Sequence, residues 1–217
     1  MPNRWIVALK FVVHALCLAP AVHLVWRFFY AQDTFGADPI NYITHFTGNW
    51  ALSMLMYCLA VTPVRRLARR LGWLIRFRRM LGLYAFFYAT LHLATYIILF
   101  SGLNLATMID DVEKRRFIMV GLLGWTILLM LALTSPLWVL KKMGGKRWQL
   151  LHRLVYLAAI AGVVHYWWLV KTGVRSPLPF TLVLAGLLLA RIAWSVWNRA
   201  KQRAKLREAR PRSPQPA

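Results

Sequence analysis

In 217 residues the chain carries 59% hydrophobic residues, a mean hydropathy of +0.50 and a formal charge of +22, from 28 lysines and arginines against six acids. So apolar a composition excludes an ordinary soluble domain, in which apolar residues make up about half. It also removes nucleic acid as the explanation of the charge, because the basic residues lie between hydrophobic runs rather than on a soluble face beside a readable motif.

About 20 apolar residues are needed to cross a hydrocarbon core ~30 Å thick, and six such windows are predicted. The first covers residues 8–30. Arg4 and Lys10 ahead of its apolar stretch from Phe11 to Trp26, with Ala19, Pro20 and Ala21, resemble a signal peptide and its cleavage site, but the proline and the five windows that follow favour a retained helix. The second window covers 45–64, the third 80–100, the fourth 117–138, the fifth 150–170 and the sixth 178–198. The fold class expected is therefore an all-α membrane protein, a six-transmembrane-helix bundle. Cys17 and Cys58 both fall inside apolar windows, without a disulfide framework or metal spacing, and read as packing residues.

Alternating the connections between two sides sorts the charge. The 65–79 connection holds seven arginines, the 141–147 connection four basic residues, and the segment from Arg199 onward seven more. The opposite connections, 32–44, 101–116 and 171–177, hold five basic residues and five of the six acids. The positive-inside rule then makes both termini cytoplasmic. Seven of the 11 tryptophans (Trp5, Trp26, Trp73, Trp138, Trp148, Trp168 and Trp197) stand near window ends, as an interfacial belt requires. Arg27 and Arg191 lie close enough to helix ends to snorkel. Residues 199–217 read as a basic, irregular cytoplasmic tail, far shorter than the ~50 residues of a domain. A nucleotide-binding domain is not expected here, and a reductant would have to come from a separate protein or a lipid-soluble donor.

Ionisable side chains inside a bilayer are costly and mark function. Three histidines stand out, His92 in the third window and His152 and His165 in the fifth. At 1.5 Å per residue His92 lies ~18 Å in from residue 80 and His165 ~22 Å in from residue 150, on helices running the same way, so the two reach one level. Neutral imidazole is the axial ligand that haem iron takes from each face, and one haem between the third and fifth helices satisfies this. His152 lies 13 residues before His165, ~20 Å along the axis and about 140° around it. A second haem there would complete a path across the membrane, but the third helix offers Arg78 or Arg79 at that level, which cannot ligate iron. His14 is the other histidine near it. A lone intramembrane histidine also serves as a helix-to-helix hydrogen bonder, and His14, His23 and His45 are read that way. The aromatics of Tyr84 to Tyr88 and His165 to Trp168 are read as packing.

The stretches PINYITHFTGNWAL (39–52), LAVTPVRRL (59–67), RRMLGLYAFFYATLHLATY (78–96), LTSPLW (133–138) and WQLLHRLVYLAAIAGVVHY (148–166) resemble the haem-binding membrane subunits of the bacterial periplasmic methionine sulfoxide reductase system, members of the ferric-reductase-like transmembrane group. The resemblance runs from about residue 8 to residue 198 and implies a transmembrane haem-binding domain over residues 1–198. It implies haem b ligated at His92, His152 and His165, and in some members flavin mononucleotide (FMN). It also implies a non-catalytic electron-transfer subunit of the bacterial inner membrane. Such a subunit carries electrons from the quinone pool or a cytoplasmic flavin reductase to a periplasmic molybdopterin-containing methionine sulfoxide reductase subunit, which repairs oxidised proteins. Related oxidases and ferric reductases place two histidines on each of two helices, whereas the third window here has His92 alone. The alternatives are a stand-alone haem ferric or quinone reductase, and a transporter using the histidines as a proton relay.

Overall fold

A backbone in lipid must satisfy its own polar groups. The computed structural model, which describes residues 3–169 and 177–208, is accordingly helical with no strand among the described residues. The helices are α1 (Asn3–Tyr30), α2 (Pro39–Leu67), α3 (Arg78–Thr95), α4 (Leu105–Lys114), α5 (Arg116–Leu133), α6 (Leu137–Met143), α7 (Gly145–Leu151), α8 (Val155–Leu169) and α9 (Leu178–Glu208). A π-helical turn, Tyr96–Phe100, prolongs α3, and a 3-10 turn, His152–Leu154, joins α7 to α8.

Among the described residues five segments are long and apolar enough to cross a membrane: Arg4–Tyr30, Arg78–Phe100, Arg116–Leu133, Gly145–Leu169 and Leu178–Arg203. The second expected span is not among them. Its helix, α2, is 29 residues long, started by Pro39 in the first turn and by the Asp38 carboxylate accepting from the Asn41 N–H at 2.9 Å. Polar residues such as Thr47, Asn49, Ser53 and Thr62 lower its hydropathy. They are tolerated because α2 lies inside the bundle, packed against α3, α8 and α9, with ten residues from Ile43 to Thr62 buried. Helices α2, α3, α5 and α8 form a ring, each packed on the next. The amphipathic α4 closes one end of it, and α9 packs outside α2 and α8. The outward faces of α1 and α9 are apolar, with Phe11, Leu16, Leu182 and Leu189 each more than 60% exposed, as in a chain whose solvent is lipid.

Other boundaries depart from the sequence reading. The fourth helix ends at Leu133, not 138: Pro136 has no N–H and pushes the residue before it out of helical geometry. Trp138 falls in α6, and the supposed 141–147 loop is mostly helix, α6 and α7 turning at Gly144 with φ +77°. The 101–116 connection contains α4, whose Leu105, Met108, Ile109 and Val112 follow helical spacing behind an Asn104 cap. The last helix continues ten residues past Asn198 to Glu208; Val170, the end of the fifth window, residues 171–176 and 209–217 lie outside the described residues.

Two prolines inside helices are met by side chains from neighbours. Pro63 deprives the Leu59 carbonyl of its helical donor, and Arg191 from α9 donates Nη2 to it at 2.5 Å and Nη1 to the Tyr156 hydroxyl at 2.5 Å. Arg191 thus turns inward rather than snorkelling as expected. Beside Pro20 in α1, the fully buried Tyr88 hydroxyl is inserted into the helix ladder, donating to the Cys17 carbonyl at 2.7 Å and accepting from the Ala21 N–H at 3.2 Å. Arg27 folds back on Thr34, Tyr42 and the Phe35 ring. Cys17 and Cys58 are free and buried.

Candidate functional site

Helix periodicity sends His92 and His165 to the inside of the ring, at the end closed by α4. Their ring centroids are 5.9 Å apart and their planes near perpendicular, at 86°. The His92 Nδ1 lies 3.0 Å from the Thr44 carbonyl of α2, and the His165 Nδ1 2.7 Å from the Phe117 carbonyl of α5. A carbonyl only accepts, so each Nδ1 carries the proton and each Nε2 keeps its lone pair. Two imidazoles bound to one metal at about 2 Å per bond have centroids roughly 6 Å apart, so this spacing suits a single ion ligated from opposite sides.

The rings sit against glycines. A Cβ on Gly48 would stand 3.1 Å from His92 Nδ1 and Cε1; one on Gly121 would stand 2.7 Å from His165 Nδ1 and 2.9 Å from its Cε1. Around them lies a cavity of about 570 Å³ reaching from Thr44 and Leu52 to Trp125, Leu128 and Leu169, with Met108, Ile109 and Val112 of α4 across it. Beyond the two histidines, the ionisable groups on its wall are His45, Tyr96, Glu113 and Tyr166. Tyr96 donates to the Asp111 carboxylate at 2.9 Å, and Asp111 also pairs with Arg115 at 3.0 Å, which fastens α4 to the ring.

The expected meeting of His92 and His165 is thus found, and His152 is apart from it. His152 lies in the 3-10 turn, stacked on Trp148 at 3.8 Å, with Nε2 3.2 Å from the Thr134 hydroxyl. Thr134 spends its own proton on the Met130 carbonyl at 2.8 Å, so His152 donates from Nε2, the opposite tautomer. Arg79, 13 residues before His92 as His152 is before His165, donates Nη2 to the Ser135 carbonyl. His14 bonds across helices to the Tyr84 hydroxyl of α3 at 2.8 Å, as read, whereas His23 stacks on Trp26 of its own helix. His45, given the same reading, lines the cavity, its ring 6.2 Å from Tyr166.

Thr44, Gly48, Phe117 and Gly121 escaped the sequence reading, although a signal existed. Residues 44, 48 and 92 recur at 117, 121 and 165, each displaced by 73, so the chain holds two copies of one half-site. Thr62 and Pro63 recur as Ser135 and Pro136 at the same displacement.

Residues 47–163 match the family model for the ferric reductase like transmembrane component. Among curated proteins the chain is 42% identical over 206 residues to the "Protein-methionine-sulfoxide reductase heme-binding subunit MsrQ" of Ralstonia nicotianae, covering 94% of this chain and 93% of that protein. It is 47% identical over 178 residues to the like-named protein of Herminiimonas arsenicoxydans, with 81% of each covered, and 41% identical over 216 residues to that of Xanthomonas axonopodis pv. citri, covering 98% and 95%. The matched region takes in α3, α5 and most of α2 and α8, with Gly48, His92, Phe117 and Gly121, and stops short of Thr44 and His165. With apolar helices arranged around them, the chain is a multi-pass membrane protein that belongs to the ferric-reductase-like transmembrane family and, within it, to the MsrQ group.

Proposed function

We propose that this chain is a membrane electron-transfer subunit in which His92 and His165 hold one b-type haem from its two faces. The observation that carries the reading is the facing pair of imidazoles, each with Nδ1–H tied to a carbonyl and Nε2 left to ligate. A haem suits the site: the donors are two neutral imidazoles, the wall is chiefly apolar, and about 570 Å³ is within the range of cofactor pockets. When bound, haem supplies a one-electron ferric–ferrous couple. The chain's own residues do the rest. The Thr44 and Phe117 carbonyls fix the ligating tautomer, the apolar wall keeps water from the iron ligands, and α4 covers the end of the ring. No bond is made or broken on a substrate in this chain.

The proposal extends to His152 as ligand of a second haem towards the cytoplasmic face, its Thr134 bond being exchanged for iron, and to FMN with its phosphate on the arginines of 65–79. It includes six spans in the bacterial inner membrane, α2 being the sixth and both termini cytoplasmic, on the strength of the charge asymmetry. Electrons enter from the quinone pool or a flavin donor and leave to a periplasmic molybdopterin-containing methionine sulfoxide reductase subunit, for repair of oxidised periplasmic proteins. The relatives' names support that destination.

The purified protein is expected to show a Soret band and a dithionite-induced α band. Adding the oxidised periplasmic subunit to the reduced protein should reoxidise it. A spectrum without haem bands would end the redox reading, and haem that stays reduced beside the partner would leave only a stand-alone reductase.

A further inference from the structure

A helix side chain covers the turn on the N-terminal side of its own Cα. Residue 48 therefore governs access to the Thr44 carbonyl, and residue 121 access to that of Phe117. Both are glycine, and both carbonyls accept from a histidine of the neighbouring helix. The same arrangement, carbonyl at one position and glycine four residues on, stands on two helices of otherwise different sequence. Each copy places its acceptor 48 residues before its histidine. Such duplication is hard to obtain by accident of packing, because the two glycines meet the same ring edge, Nδ1 and Cε1.

From this geometry we infer that Gly48 and Gly121 are positioning residues that seat the two imidazoles, each by leaving one helix carbonyl open to Nδ1–H. The inference rests on the haem reading above. The hydrogen bond fixes the ring's rotation and tautomer and makes Nε2 a stronger donor to iron, as outer partners of ligating histidines do. With a haem bound, neither ring could yield to an added methyl, because each would be held at Nδ1 by its carbonyl and at Nε2 by the iron. The seats are unequal. His165 has the shorter bond and the tighter glycine, 2.7 Å in both measures, against 3.0 and 3.1 Å at His92.

The test uses the full-length protein in detergent. Gly121→Ala is expected to weaken haem retention about 10- to 100-fold, to raise the reduction potential of the haem that remains and to change the low-spin electron paramagnetic resonance signature. Gly48→Ala should act in the same direction with a smaller effect. Gly82→Ala, on α3 outside the cavity lining, brings its Cβ to an ordinary 3.5 Å from the Cys58 Sγ and should leave potential and spectrum at wild-type values. Unchanged potentials and spectra in both Gly48→Ala and Gly121→Ala would overturn the inference, as would equal changes in Gly82→Ala. Should Gly121→Ala fail to fold, ¹⁵N-histidine spectra of the reduced wild-type protein decide the matter: both ligand rings must be Nδ1–H, and loss of that proton at either removes its seat. A wild-type protein without haem would fail the functional reading instead, a result distinct from all of these.

Discussion

At the end of the ring closed by α4, His92 and His165 give Nδ1–H to helix carbonyls and face one another across a cavity. Towards the Pro136 end, His152 gives Nε2–H to a threonine hydroxyl and lies flat on Trp148. All three imidazoles are half-buried, His92 and His165 on apolar helices and His152 in the 3-10 turn between α7 and α8, so exposure alone does not separate them. What differs is the acceptor and the space beside it. Glycine next to a carbonyl admits the Nδ1 edge of a ring and leaves Nε2 for a metal. A hydroxyl reached by Nε2, with an indole on the ring face, occupies the nitrogen that would otherwise ligate. The two ends are also held differently, the first around an open cavity, the second by Arg191 and Arg79 reaching carbonyls near prolines.

The comparison breaks most visibly at the ligands. His92→Ala or His165→Ala should each abolish the same haem bands, whereas His152→Ala should leave those bands in place and remove only the contribution of a second haem, all read from haem per polypeptide. Loss of different bands in His92→Ala and His165→Ala would separate the pair. Next in size is Arg191→Met, which strips the Leu59 carbonyl and the Tyr156 hydroxyl of a charged donor. A loss of about 1–3 kcal/mol is expected in denaturant titrations in detergent. Adding Pro63→Ala should recover part of it, because residue 63 then supplies the missing N–H. Tyr88→Phe removes a hydroxyl shared by the Cys17 carbonyl and the Ala21 N–H, which can re-form their own helix bond, so its cost should be nearer about 1 kcal/mol by the same measurement. Smallest is Thr134→Val. Stability should change by less than about 1 kcal/mol and the bands of the His92–His165 haem should not move; a shift in those bands would show that the two ends are coupled.

The membrane class, five of the windows and the level at which residues 92 and 165 meet were legible from the chain alone. Hydropathy and a rise of 1.5 Å per residue are properties of a segment and need no neighbour. The α4 helix is legible too, in the spacing of Leu105, Met108, Ile109 and Val112, although hydropathy windows alone leave 101–116 as a connection. Helix α2 is expected from its window to span, yet its composition is too polar for it to stand among the apolar spans; its place inside the bundle accounts for those polar residues.

Composition and spacing by themselves thus determined that this chain is built of apolar helices and how far along its axis each histidine lies. Only the tertiary structure decided which carbonyl each imidazole meets, that Gly48 and Gly121 open those carbonyls, that Arg191 turns inward to the carbonyl freed by Pro63, and that His152 is engaged by Thr134 and Trp148. Depth follows from counting residues along one helix, whereas the partner of a side chain depends on how helices distant in sequence are rotated and packed together.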